Sequence, residues 1–461
     1  MIKFFKRPIF WLALVILLAM FLRFWKIGQV PPSLNWDEVA IGYNAYSILK
    51  TGRDEWGVKF PLLGFESFGE YKLPVFIYAT IPGVWLFGLN ELGVRFMPVL
   101  FGVFGVLVAY FLGKELFKNE KIALLSAFVV AIDIWHLQIT RAAFEAGLAQ
   151  LFISLSILFL LKSVRRWHYL PISFLFACLS VYTYNSSRLF IPLFFLVLFL
   201  IRRDLFLRNL KGLFIGIFII LFFAIPLLLR FNEPVIRGRY RLISIQDDPG
   251  FILRINNGRG ELLEKGWPPI LTRAIHNKAS HYITSFAGYY FSHFTPSFLF
   301  IRGAGHTQQS VPGFGQFLHI LVLPMGWGFY ILFKKWRQEN YFPSKILLAQ
   351  ILLSPIATST TINSNPHGLR TFCSLPAWQI IIALGFFAAY QVLRKSSPVC
   401  RRLAITVFSL LFLVNFVFYW NQYYVVYPRE YANDWQYGYK QAVKFVWENK
   451  DQYDKIFFTR D

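Results

Sequence analysis

Runs of about 20 apolar residues recur along this chain, and a helix needs about that many to cross the hydrocarbon of a bilayer. We read eleven such spans, at 8–25, 93–113, 122–140, 144–162, 168–185, 188–201, 212–230, 316–333, 346–362, 371–393 and 403–420. Nothing but helices or a closed barrel satisfies the backbone inside lipid, and runs of this length are helical. The 461 residues are 56% hydrophobic, 19% aromatic and only 15% charged. A soluble chain carries about 25% charge. The prediction is an all-α polytopic membrane protein.

A formal charge of +23 raises nucleic-acid binding as a rival class. The placement of the charges removes it. Lys3, Lys6 and Arg7 precede the first span, and the later clusters fill alternate connections. They are Lys114, Lys118 and Lys121, then Lys162, Arg165 and Arg166, then Arg202, Arg203, Arg208 and Lys211. Lys334, Lys335, Arg337 and Lys345 follow, then Arg394, Lys395, Arg401 and Arg402. This is the positive-inside pattern of a bilayer protein, so no nucleic-acid partner is predicted. A cytoplasmic N-terminus puts every cluster inside. It puts outside 26–92, the turns near Arg141, Asn185 and Asn363, the segment 231–315, and the chain from about 421. The expected location is the plasma membrane, with the site on the extracytoplasmic side. The first run reaches about Trp25 with no small-residue cleavage site after it, and reads as a retained signal anchor. Cys178, Cys373 and Cys400 are too scattered to suggest a structural disulfide.

The outer segments carry their own structure. "VAIGYNAYSILKTG" reads as an amphipathic helix ended by Gly52. "KLPVFIYATIPGVWLFG" is apolar but interrupted by Pro74 and Pro82; counted as a span it would invert every later loop, so it reads as a membrane-surface helix. Several interfacial helices are expected in 231–315. We divide the chain into a transmembrane domain, 1–422, and an extracytoplasmic segment, 423–461. The latter holds a helix in "NDWQYGYKQAVKFVWENK", and "KIFFTRD" reads as the first strand of an incomplete α/β domain.

This threading gathers polar residues at one membrane face. Asp37 and Glu38 lie in the first outer loop, Lys72 in "GEYKLP", Arg141 and Glu145 in the second turn, and Arg188 in the third. His367 and Arg370 lie in "SNPHGLRTF", and Arg237, Arg239 and Arg241 open the large loop. Each has a plainer role available. Arg141 and Arg188 suit snorkelling flanks, Glu145 suits an i, i+4 pair with Arg141, and His367 suits a turn. The three loop arginines suit lipid headgroups. Asp37 and Glu38 suit a helix N-terminus, which accounts for one acid better than two. Together they suit a single chemistry. A carboxylate at the bilayer edge serves as general base, and cations at the same depth neutralise a departing phosphate. A substrate with a headgroup-level phosphate and an apolar tail fits that arrangement.

"NWDEVAIGYNAYSILKTG", "KLPVFIYATIPGVWLFGLNELGVRFMPVLFG" and "ITRAAFEA", with a weaker echo in "NPHGLRT", resemble membrane glycosyltransferases of the protein O-mannosyltransferase and aminoarabinose-transferase type. The resemblance covers most of 8–200. It implies the GT-C fold, with about 11 transmembrane helices and amphipathic extracytoplasmic helices. It also implies an inverting transfer from a polyprenyl-phosphate sugar to a glycan, lipid or protein acceptor. It places the catalytic base at Asp37, with Glu38 steadying the acceptor or Asp37 itself. Arg141, Glu145 and Lys72 match donor-site positions, although Glu145 stands where Asp is usual and Leu73 separates Lys72 from Pro74. Arg188, His367 and Arg370 complete the predicted donor-phosphate and substrate set, with Arg141 and Arg370 converging on the phosphate. No cofactor or metal is predicted. Substituting Glu38 is expected to cost less activity than substituting Asp37, and neither change is expected to disturb folding. Two rivals stand beside this reading: a transporter or flippase of polyprenyl-linked glycans, and an O-antigen-ligase-like enzyme using a diphosphate donor.

Overall fold

The computed structural model describes residues 7–336, 341–362 and 365–457. Lys3, Lys6, Arg337, Asn363 and the end of the "KIFFTRD" stretch lie outside them. Lys455–Phe457, at its start, are not in a strand.

Every predicted span contains a helix. The first is α1 (Pro8–Phe24). The outer loop then folds as α2 (Trp36–Thr51), a hairpin of β1 (Phe65–Ser67) and β2 (Glu70–Lys72), and α3 (Pro74–Phe87). Gly52, at φ +68°, closes α2 in the left-handed conformation, as the sequence suggested. Next come α4 (Glu91–Phe117), α5 (Glu120–Ile132), α6 (Ile134–Arg141) and α7 (Glu145–Ser163). They are followed by α8 (Tyr169–Val181), α9 (Ser187–Ile201) and α10 (Leu210–Leu229). The large loop holds four further helices, α11 (Pro234–Ile243), α12 (Gly250–Glu264), α13 (Pro269–Ile275) and α14 (Lys278–Ser292). The last group is α15 (Val322–Trp336), α16 (Phe342–Ser359), α17 (Ala377–Leu393), α18 (Pro398–Asn421) and the exposed α19 (Tyr439–Asn449).

The all-α polytopic architecture is borne out. Among the described residues, Glu91–Phe117, Glu145–Ser163, Leu210–Leu229, Phe372–Leu393 and Pro398–Glu430 are each long and apolar enough to cross a membrane. The predicted span 122–140 is broken: α5 and α6 meet at Asp133 with a 56° bend. Asp133 ends one helix and caps the next, accepting from the His136 N–H (3.2 Å). The carbonyls this break frees do not go unpaired. Arg23, buried in α1, donates to Ala131 O (3.0 Å) and Val130 O (3.1 Å). It also donates to Ala19 O (3.3 Å) and to His136 Nδ1 (2.9 Å); the latter requires that nitrogen to be the acceptor and fixes the ring proton on Nε2.

Close helix contact is set by glycine where a side chain has no room. A Cβ on Gly385 of α17 would collide with the Pro324 carbonyl of α15, and one on Gly328 with the Ile381 carbonyl. Such small-residue seams let membrane helices approach where apolar burial gives no preference between lipid and protein.

Candidate active site

The opening acids separate through the local geometry of α2. Asn35 is its N-cap: its side chain accepts from the Glu38 N–H (2.9 Å), and the Glu38 carboxylate accepts from the Asn35 N–H (3.2 Å). This reciprocal capping box draws Glu38 inward. Glu38 is fully buried and also accepts from Arg95 Nε (2.8 Å), Arg95 Nη2 (2.9 Å) and the Ala143 N–H (2.9 Å). Asp37, one residue earlier on the helix, keeps about a third of its side chain accessible and faces a cavity.

That cavity has a volume of about 330 Å³ and is polar. Asp37 from α2, Lys72 from β2, Glu145 at the start of α7, Arg239 from α11, and His367 and Arg370 from the turn before α17 all line it. The hairpin pairs Phe65 with Lys72 and Ser67 with Glu70, so Glu70 and Lys72 share one face. Lys72 is buried and ion-paired with Asp37; Glu70 is ion-paired with Arg239. Burial disfavours the Arg239 charge, but Glu70, Tyr184, Glu145 and Asp37 outweigh it and hold the guanidinium above its ordinary range. Burial pulls Arg370 down to about 10. Its Nη1 donates to Thr361 Oγ1 (2.6 Å).

His367 is pushed well below the usual histidine range, first by burial and then by Arg370 and other cations. Its backbone is fixed by His293, which donates from Nδ1 to Tyr289 O (2.7 Å) and accepts the His367 N–H at Nε2 (2.9 Å). Gln309 holds the next residue, accepting the Gly368 N–H (2.8 Å).

Five of the eight predicted site residues thus share one cavity: Asp37, Lys72, Glu145, His367 and Arg370. Three do not line it. Glu38 is enclosed with Arg95 and is no wet-edge residue, which removes the ground for expecting its replacement to leave folding undisturbed. Arg141 does not converge with Arg370. It is fully buried and donates to Leu22 O (2.9 Å), Arg23 O (2.7 Å), Trp25 O (2.7 Å) and Val30 O (2.8 Å), and its plane lies against Tyr423 and Tyr424. It satisfies the carbonyls left open at the end of α1. Arg188 opens instead into a separate apolar cavity of about 460 Å³ between α8, α9 and α10, and donates to Ile236 O (3.2 Å).

Sequence reasoning missed Glu70, and it gathered Arg239 at this face, with lipid headgroups as its plainer role, but left it out of the predicted site set. It also missed Arg95, although a lone arginine inside an apolar run signals a buried role. The residues after 422 were set apart as a separate segment; their first part packs against residues that line the cavity. Trp435 is fully buried, against Phe144 at 6.1 Å between ring centres, and donates to the Tyr427 hydroxyl (2.6 Å). Asp434 pairs with Thr307, and Gln436 accepts the Trp36 N–H (2.9 Å). Trp36, Phe144 and Gln308 all line the cavity. Among the described residues, no group of three His, Cys, Asp or Glu is placed to hold a metal ion.

Residues 72–229 match the model of a family described as dolichyl-phosphate-mannose-protein mannosyltransferase. The fold is similar to that of the Archaeoglobus fulgidus oligosaccharyltransferase in its apo form, at 16% identity and a TM-score of 0.56, over 98% of this chain and 59% of that one. The same enzyme in complex with an inhibitory peptide and dolichol-phosphate gives 15% and 0.54, over 98% and 60%. ArnT from Cupriavidus metallidurans bound to undecaprenyl phosphate gives 15% and 0.53, over 86% and 63%. The chain therefore spans about three fifths of the length of these structures. No curated protein matches it. The resemblance read from the sequence is borne out in the family match and in the GT-C fold.

Proposed function

We propose that this GT-C-fold chain is an inverting membrane glycosyltransferase that moves a sugar from a polyprenyl-phosphate donor to a hydroxyl or amine acceptor at the extracytoplasmic face of the plasma membrane. One observation carries the reading: an accessible carboxylate, Asp37, is ion-paired with a buried lysine in a polar cavity that adjoins an apolar one. The turn 182–188 joins the two, with Thr183, Tyr184 and Asn185 on the polar side and Tyr182 and Arg188 on the apolar side. A prenyl tail fits between α8, α9 and α10, which puts the phosphate at the boundary and the sugar beside Asp37. The undecaprenyl phosphate and dolichol-phosphate of the similar structures support a donor of this class.

In the proposed reaction Asp37 accepts the proton of the acceptor group. The freed lone pair attacks the anomeric carbon, and the bond from that carbon to the phosphate oxygen breaks with its electrons on the phosphate. Lys72, Arg239 and Arg370 are the cations that meet this charge. Lys72 is shared: a phosphate oxygen competes with Asp37 for its ammonium group, so donor binding loosens the Asp37 contact just as a base is needed. Glu145 and His367 line the sugar side, and Arg188 guards the tail entrance. Residues 423–436 belong to the catalytic unit, and Tyr439–Asn449 begins the outer segment.

The transporter reading draws support from the break at Asp133 and the buried Arg23 beside it, since transporters use broken helices with buried charges. Arg23 spends its donors on the carbonyls of that break, which is a structural use. The decisive test is release of polyprenyl phosphate from a labelled polyprenyl-phosphate sugar. Asp37→Asn should lower transfer about 10²- to 10⁴-fold, with a smaller loss of melting temperature than Glu38→Gln, because Asp37 is part-exposed to the cavity and Glu145 also lines it. Near wild-type transfer by that variant overturns the assignment, and transmembrane movement of donor without phosphate release favours the transporter.

A further inference from the structure

A third cavity, of about 720 Å³, lies at the far end of the bundle from Asp37, where α4, α15 and α17 finish and α5 begins. It plays no part in the proposed transfer. Its floor is apolar, with Leu384 of α17 and Trp327 of α15, and its rim carries Lys334, Lys335, Tyr330 and Tyr341. The lysines occupy the last turn of α15, and among the described residues neither makes an ion pair. Lys335 lies 5.0 Å from the centre of the Tyr341 ring. The Tyr341 hydroxyl is shielded from solvent and, among the described residues, has no hydrogen-bond partner.

A basic last turn alone is met by the positive-inside rule and by the helix dipole, and neither needs a cavity. Here two cations, a hydroxyl donor with no partner among the described residues, and interfacial aromatics edge a largely apolar pocket. Those are the three parts of an amphiphilic anion: charge, an ester-level acceptor and a hydrocarbon chain. We propose that this pocket binds one anionic phospholipid from the leaflet opposite the polar cavity. Its phosphate sits between Lys334 and Lys335, its glycerol ester accepts from the Tyr341 hydroxyl, and its first methylenes lie on Trp327 and Leu384.

The test uses the full chain, delipidated and held in neutral detergent, titrated with phosphatidylglycerol brominated in the upper acyl chain. The signal is the tryptophan quenching that disappears in Trp327→Phe. It should saturate at a concentration at least about tenfold lower for phosphatidylglycerol than for the matching phosphatidylcholine. A lysine near a charged lipid surface is worth about fivefold, so Lys334→Gln with Lys335→Gln should raise the half-saturation about 25-fold. Tyr341→Phe should raise it about threefold. Both lysines sit on an accessible helix end, and an unchanged melting temperature verifies that the variants are folded. Equal binding of the two lipids, or no change on removing both lysines, overturns the proposal. Displacement of phosphatidylglycerol by an equimolar polyprenyl phosphate overturns the choice of lipid.

Discussion

Glu38→Gln is a near-isosteric change that should unfold the loop that carries Asp37. Glu38 and Arg95 have no accessible side-chain surface, and their contact is bidentate at 2.8 and 2.9 Å. The amide keeps the shape but leaves the Arg95 guanidinium buried without its counter-charge. It also gives the Asn35 and Ala143 N–H groups a weaker acceptor. Removing one partner of a buried pair costs about 3–5 kcal/mol, a large share of the roughly 5–15 kcal/mol that hold a domain folded. Replacing both partners removes the stranded charge, so Glu38→Gln with Arg95→Met should be less destabilised than the sum of the single changes. We expect a coupling of at least about 2 kcal/mol, within the range seen for contacting residues. The assay is thermal or denaturant unfolding of purified protein followed by tryptophan fluorescence, with transfer activity measured alongside. Asp37→Asn, which leaves Lys72 facing the polar cavity, should melt nearer to wild type than Glu38→Gln does. Additive effects in the double variant, or a Glu38→Gln protein that melts with wild type, would refute the buried-pair reasoning.

Two further outcomes follow from the same contacts. His293 serves the His367 turn only when neutral, because its Nε2 must accept an N–H, and burial lowers it to about 4. An unfolded histidine titrates near 6.5, so the stability from this contact is complete above about pH 6.5 and is lost as pH falls toward about 4. Melting temperature measured from pH 7.5 to 4.5 should fall less steeply for His293→Gln than for wild type, and equal slopes would count against the contact. A chain ended after Tyr431 loses Trp435, whose removal costs about 3–5 kcal/mol, and should lose more than about tenfold in transfer with faster hydrogen exchange in 306–309. A chain ended after Tyr437 retains the packed turn and should keep most activity.

How much of this was legible depended on the range over which each feature is set. The spans were readable because each is a local run of apolar residues. The caps of α2 were nearly so: Gly52 was named, and a helix start was weighed for the two acids. The sequence even showed that capping accounts for one acid better than two, but not which one. That choice is made by Arg95, 57 residues away, which takes Glu38 inward. The break at Asp133 was hidden because a single acid in an apolar run looks like noise until Arg23 is seen bonded to the freed carbonyls. Arg239 was left out of the predicted set because nothing within its own loop reveals Glu70, 169 residues earlier, as its partner.

Arginine at a membrane edge thus takes two roles that composition does not separate. Arg141 donates to Leu22, Arg23, Trp25 and Val30, and Arg95 to Ile27 (3.3 Å), Pro31 (2.8 Å) and Ser33 (2.5 Å). Between them they bind the backbone that leads from the end of α1 into α2. Asp37 stands four residues beyond Ser33, on a helix whose first turn Arg95 also anchors through Glu38. A guanidinium presents five donors in a rigid fork, so two of them immobilise an irregular loop that has no sheet or helix ladder of its own. Arg239 and Arg370 are placed differently: they line the cavity, one beside a carboxylate and one beside a hydroxyl. The first pair sets where Asp37 stands, and the second sets the charge in the cavity that Asp37 faces. A loop held this way fixes Asp37, the proposed base, in position without a single residue of regular structure between Trp25 and Asn35.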